Sequence, residues 1–150
     1  MKRRDIMDII IKRADDNDLG IDDFINEQFS NYARQNNVAL NYEDYCFVAL
    51  NENNEIMGVI TGRAYYNEVH IGDLIIDKRC RRIGLGSKLV NAVETEYANK
   101  GYDKITLTTF GFQAPEFYKK LGYELEFVRK DNDPKLCKYF YSKPMDSSNR

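Results

Sequence analysis

A chain of 150 residues, 43% hydrophobic and 31% charged, carries enough apolar material for one core, and no apolar run is long enough to cross a bilayer. A net charge of −2 excludes a dedicated nucleic-acid binder. Three scattered cysteines (Cys46, Cys80, Cys137) and one histidine, His70, supply no zinc cluster, so the cysteines read as free thiols and no metal is expected.

The basic start, Met1 to Arg4, is followed by Asp5 and Asp8, which interrupt any signal-peptide segment and give a cytoplasmic expectation. Residues 6–13 are short and β-branched and predict a strand. Asp15, Asp16, Asn17 and Asp18 offer N-cap chemistry for a helix whose apolar residues Ile21, Phe24, Ile25, Phe29 and Tyr32 follow a period near 3.6. Asn36 and Asn37 end it. Strands are predicted over 45–50 and 56–66, joined by a turn of Asn51 to Glu55. Asn67 turns the chain into a strand over 68–77. The end of that strand, Leu74-Ile75-Ile76, is continuously apolar, as a central strand covered on both faces would be.

A loop then leads to a helix over 84–100, with Leu85, Leu89, Val93 and Tyr97 forming one apolar stripe and Lys100-Gly101 a stop. A strand over 105–110, a short helix with Pro115 in its first turn and Gly122 past its end, and strands over 123–130 and 136–142 complete the order. The whole, β α β β β α β α β β, implies an α/β (α+β) fold with a mixed sheet of about seven strands flanked by helices. Residues 1–145 read as a single domain and 146–150 as a frayed tail.

Charge is unevenly spread. Residues 1–75 hold 7 Lys/Arg and 14 Asp/Glu, and residues 76–150 hold 15 and 10. The basic second half suits a polyanion, and the acidic first half a cationic group.

The segment Asp77 to Lys88 joins the apolar strand to the amphipathic helix. The first amides of a helix lack intrahelical acceptors, and the macrodipole places partial positive charge there, so phosphate binds at such a start. Gly84 and Gly86 let a diphosphate approach the main chain, and Arg81, Arg82 and Lys88 add full charge. A Walker loop is absent, and Leu89 stands where a Rossmann loop needs its third glycine.

The stretch Leu74 to Val90 resembles the acetyl-CoA motif of the GNAT superfamily, Gln/Arg-x-x-Gly-x-Gly/Ala, with Arg81, Gly84 and Gly86 at its defining positions. Thr109 to Tyr123 resembles the second GNAT motif, Ala-x-x-x-Tyr-x-x-x-Gly-Phe/Tyr, through Ala114, Tyr118, Gly122 and Tyr123. The Asn often found seven residues before that Tyr is Gly111 here.

The resemblance implies a GNAT fold in which the strands over 68–77 and 105–110 splay apart around the acetyl-pantetheine arm. Backbone groups of Leu74, Ile75 and Ile76 would pair with that arm. Amides of Arg82, Ile83, Gly84, Leu85, Gly86 and Ser87 would hold the pyrophosphate, with Arg81 and Lys88 beside them and Ala114, Phe117 and Tyr118 against the donor. The implied activity is acetyl transfer from acetyl-CoA to a primary amine by direct attack, with Tyr118 protonating the departing thiolate. His70, Glu68 and Asp73 are the candidates for base. Histone acetyltransferases of the superfamily carry a Glu at about His70's distance from the glycine loop. Strand alternation places Glu68 and His70 on one face and Asp73 on the other, unless a β-bulge intervenes. The acids at 15–27 and Glu43-Asp44 would attract a cationic acceptor, small molecule or peptide. The alternatives are a CoA-binding regulatory module without turnover and an enzyme for protein N-termini or lysines. No nucleic-acid or membrane partner is expected, and the two C-terminal strands offer a route to a homodimer, as in relatives.

Overall fold

The computed structural model describes residues 8–15 and 20–145. The chain divides into two compact units, residues 1–40 and 41–150.

In the first unit, helix α1 spans Ile21–Gln35. Gly20, in the left-handed region at φ 64°, occupies its N-cap, and no side chain caps it. Phe24 N–H reaches Gly20 O at 3.0 Å. The expected caps at 16–18 lie outside the described residues, apart from Asp15. Asn36 closes the helix, and Asn37 follows with a positive φ, as the sequence suggested. The strand expected over 6–13 is corrected: residues 8–15 form no strand, and 6–7 lie outside the described residues. Ile10 and Ile11 are exposed. β-propensity records how well a side chain packs in a sheet, and among the described residues no strand pairs with this segment.

The second unit holds a six-stranded sheet in the order β1-β2-β3-β4-β6-β5. Its strands are β1 (Glu43–Leu50), β2 (Ile56–Tyr65), β3 (Glu68–Ile76), β4 (Lys104–Phe110), β5 (Glu124–Arg129) and β6 (Lys138–Pro144). Helix α2 (Leu85–Tyr97) links β3 to β4, and α3 (Pro115–Lys120) follows β4. Only β3 and β4 pair in parallel; the other neighbours are antiparallel. A parallel pair needs a crossover, and α2 supplies it.

Period-two burial explains the sheet. Along β4, Ile105, Leu107 and Thr109 are buried while Lys104, Thr106 and Thr108 are less so. Ile60 and Ala64 of β2 and Val69 and Ile71 of β3 face the same core. Helix α2 buries Leu89, Val90, Val93 and Tyr97 among them, and α3 adds Tyr118. Helix α2 stops at Tyr97, before the expected Lys100-Gly101, because Ala98 already turns to extended backbone and Asn99 takes φ 65°.

One ion pair fastens this layer. Lys143 Nζ donates to Glu94 Oε2 at 3.0 Å and to Leu121 O at 3.0 Å, and Tyr123 Oη–H donates to the same carboxylate oxygen at 3.1 Å. It ties β6, α2 and the end of α3 together.

Candidate active site

Two ladders define the centre of the sheet. Strand β3 pairs with β2 through Ile76, and β4 pairs with β6 through Phe110. Between β3 and β4, however, the parallel ladder runs only from Glu68 opposite Lys104 to Ile71 opposite Leu107. Beyond that point Leu74, Ile75 and Ile76 have, among the described residues, no strand on their β4 side. The splay that the family resemblance implies is present, and it leaves a short unpaired edge inside a sheet.

The segment after β3 is built to expose amides. Asp77 accepts from Arg79 N at 2.9 Å and from Arg79 Nε at 2.9 Å, forming the cap of a single 3-10 turn, Lys78–Cys80. These bonds to Arg79 hold the Asp77 carboxyl down at about 2. Arg79 is thereby engaged, whereas Arg81, Arg82 and Lys88 form no salt bridge among the described residues. Arg81 Nε folds back to Ile76 O at 3.4 Å.

Arg82 at φ 67° and Gly84 at φ 82° both take the left-handed region, which bends the chain into α2. Gly84 is the N-cap of α2 and no side chain caps that end. Lys88 N–H is bonded to Gly84 O at 3.1 Å, so the amides of Leu85, Gly86 and Ser87 precede the first full helical bond. A Cβ on Gly86 would lie 3.1 Å from Phe117 Cζ and 3.9 Å from Ile76 Cγ1. The two sequence motifs therefore touch: α3 lies against the first turn of α2, and a Cβ at position 86 would require the Phe117 ring to give by a few tenths of an ångström.

On the core side of the splay, Tyr118 is 7% exposed. Its ring stands edge-on to Phe117 at 5.0 Å and to Tyr123 at 5.9 Å, and it lies 6.4 Å from Tyr141. Burial pushes its hydroxyl up to about 12. No hydrogen bond to that hydroxyl forms among the described residues. Ala114, at the N-cap of α3, donates its N–H to Thr109 Oγ1 at 3.4 Å.

The candidate bases share the other face of the sheet, and here strand alternation misleads. Register passes from Thr61 opposite Asp73 to Gly62 opposite Ile71, so Gly72 is a bulge residue. The bulge resets the alternation. Arg63 lies opposite His70 and Thr61, two residues along, lies opposite Asp73, so Glu68, His70 and Asp73 point to one face rather than two. Asp73 Oδ2 accepts from Thr61 Oγ1 at 3.2 Å. Thr106 Oγ1 donates to Glu68 Oε2 at 2.7 Å and sits 2.9 Å from His70 Nδ1. Burial holds the His70 pKa below its ordinary value, against the opposing pull of Glu68 and with help from Arg63 and Lys138.

An open cavity of about 260 Å³ covers this face, lined by Glu68, His70, Thr106, Tyr65, Phe140 and Glu126 among others. Sequence reasoning found Glu68 and His70 but missed Thr106, Tyr65, Phe140 and Glu126. Glu126 reaches the cavity from a second bulge: Leu125 pairs with Tyr141 and Phe127 with Phe140, leaving Glu126 between them. Nothing in the sequence signals that β6 lies between β4 and β5, which brings Phe140 and Glu126 to the cavity. Among the described residues no group of His, Cys, Asp and Glu is arranged to hold a metal, and no helix is long and apolar enough to cross a membrane.

Residues 12–132 match the acetyltransferase (GNAT) domain family. A blasticidin-S acetyltransferase of Streptomyces morookaense is 30% identical over 69% of this chain and 76% of its own length. A crystal structure of an acetyltransferase from Bacillus cereus shares 32% identity and superposes with a TM-score of 0.73, covering 89% of this chain and 97% of that one. A GNAT acetyltransferase from Elizabethkingia anophelis, solved with acetyl-CoA bound, has the same fold at 19% identity and a TM-score of 0.58, over 79% of this chain and 82% of its own. The chain belongs to the GNAT family and is an acetyl-CoA-dependent acetyltransferase.

Proposed function

We propose that the chain transfers the acetyl group of acetyl-CoA to the primary amine of a small cationic molecule. The observation that carries this reading is the β3–β4 ladder stopping at Ile71 and Leu107 beside an uncapped helix start. Amides from Arg82 to Ser87 hold the pyrophosphate, with Arg81, Arg82 and Lys88 supplying charge. The free edge of Leu74, Ile75 and Ile76 pairs with the pantetheine arm as an added strand would. Phe117 and Ala114 of α3 close that side. The fold shared with the Elizabethkingia protein, solved with acetyl-CoA bound, supports acetyl-CoA as the donor.

The thioester then lies in the splay, with Tyr118 on the core side and His70 on the cavity side. The amine nitrogen attacks the carbonyl carbon, the C–N bond forms, and the C–S bond breaks. The proton lost by the amine goes to His70, whose depressed pKa keeps it neutral at pH 7. The sulfur takes a proton from Tyr118, whose hydroxyl stays protonated at any physiological pH.

Support for a cationic acceptor comes from the cavity wall, which presents two carboxylates, Glu68 and Glu126, and no Lys or Arg. Tyr65 and Phe140 add aromatic faces suited to a cation. The similarity to an enzyme named for blasticidin S supports a small-molecule acceptor. The test is thiol release from acetyl-CoA across a panel of cationic and neutral amines. Turnover confined to cationic amines is expected; turnover with neutral amines alone would overturn the acceptor class, and none with any amine would overturn the transfer itself.

A further inference from the structure

His70 is the only histidine in the chain, and its side chain makes one hydrogen bond among the described residues, through Nδ1 to Thr106 Oγ1 at 2.9 Å. Which atom donates follows from counting protons. A threonine hydroxyl carries one hydrogen. Thr106 Oγ1 commits it to Glu68 Oε2 at 2.7 Å, a short bond to a carboxylate, which can only accept. Thr106 Oγ1 therefore meets the imidazole with a lone pair, and Nδ1 must carry the hydrogen between them. A neutral ring has one N–H, so Nε2 holds the lone pair. Neutral histidine in water prefers the opposite tautomer.

We infer that Thr106 is a positioning residue that, with its proton drawn to Glu68, locks neutral His70 in the Nδ1–H form and so leaves Nε2 as the atom that accepts the amine proton. The three groups sit at fixed register, since Glu68 pairs with Lys104 and His70 with Thr106 in the parallel ladder. That is the last ordered stretch before the splay, so the lock lies where β3 and β4 are still held together. Glu68 is thereby an orienting group and not the base itself. The role given to Nε2 rests on the transfer reading above; the tautomer does not.

The charges facing the ring are Glu68 on its own strand, Arg63 on β2 and Lys138 on β6, with Asp73 beyond the Gly72 bulge and Glu126 across the cavity. None of them offers Nδ1 an acceptor in place of Thr106.

Nitrogen-15 NMR of the single imidazole tests the lock without turnover. At pH well above the His70 pKa the intact protein should show a protonated Nδ1 and an unprotonated Nε2. Thr106→Val keeps the shape and removes the hydroxyl, so the signal should move toward the Nε2–H form. Thr106→Ser should keep the wild-type tautomer. Glu68→Ala frees the Thr106 proton and should give mixed tautomers, which keeps the test alive if the valine variant does not fold. With acetyl-CoA and an accepted amine, Thr106→Val should lower kcat about 10- to 100-fold with little change in either KM, and Thr106→Ser should restore it. An Nε2–H ring in the intact protein, or a tautomer indifferent to Thr106→Val, overturns the inference. The expected tautomer with kcat unchanged in His70→Gln would leave the lock standing and overturn the choice of His70 as base.

Discussion

Replacing Tyr118 by Phe separates chemistry from packing at the centre of the site. The ring fills a slot between Phe117, Tyr123 and Tyr141, and Phe keeps all of it. The hydroxyl bonds to nothing among the described residues, so its removal abandons no partner and should change stability by less than about 1 kcal/mol. Tyr118→Ala, by contrast, empties a nearly buried slot and should cost about 3–5 kcal/mol. If the phenol protonates the leaving thiolate, Tyr118→Phe should lower kcat about 10²- to 10⁴-fold and leave the KM for acetyl-CoA nearly unchanged. Thiol release under saturating donor measures the first quantity, and thermal melting the second. Since burial pushes the hydroxyl up to about 12, the wild type should show no alkaline loss of kcat from this group near neutral pH. A variant that melts with the wild type and turns over at the wild-type rate would refute the role of Tyr118; one that melts much lower would refute the reading of its hydroxyl as unengaged.

Further outcomes follow from the rest of the molecule. The His70 pKa is lowered on folding, so the unfolded chain binds the extra proton first as pH falls; kcat and stability should both decline only below about 6.5, and His70→Gln should remove that acid limb from the rate profile. A Cβ added to Gly84, at φ 82°, would meet no atom within 4 Å, so Gly84→Ala should fold with a strain of about 1–2 kcal/mol, whereas Gly84→Glu adds a like charge beside the pyrophosphate and should abolish calorimetric binding of coenzyme A. Glu126→Gln should raise KM for cationic amines about two- to fivefold, less at high salt, and leave KM for acetyl-CoA unchanged in steady-state assays. Lys143→Met removes the donor 3.0 Å from the Leu121 carbonyl and the cation 3.0 Å from Glu94, which keeps only Tyr123, and should cost about 1–3 kcal/mol, read as a fall of several degrees in Tm.

The elements of the second unit were legible because their periods are clean: alternation along β4, the stripe of Leu89, Val93 and Tyr97 on α2, and Pro115 and Gly122 bracketing α3. The glycine loop was legible because its left-handed backbone favours glycine at Gly84 and the nearness of Phe117 favours it at Gly86. The strand expected over 6–13 misled because propensity alone supplies no partner. Alternation alone puts Asp73 on the wrong face, and the bulge allowed for in the sequence reading is present at Gly72 and inverts everything after it; a glycine in a strand fixes the place of a bulge only when its partner strand is known. Thr106 and Glu126 were invisible for a related reason: each gains its place from strands distant in sequence, and a threonine in a β-strand is too ordinary to mark.

The pyrophosphate of the donor should lie on the main-chain N–H groups between Arg82 and Ser87, with the pantetheine running along Leu74 to Ile76, in a crystal structure of this chain grown with coenzyme A. Coenzyme A seated elsewhere, with the first turn of α2 unliganded and the β3 edge bare, would contradict that placement outright.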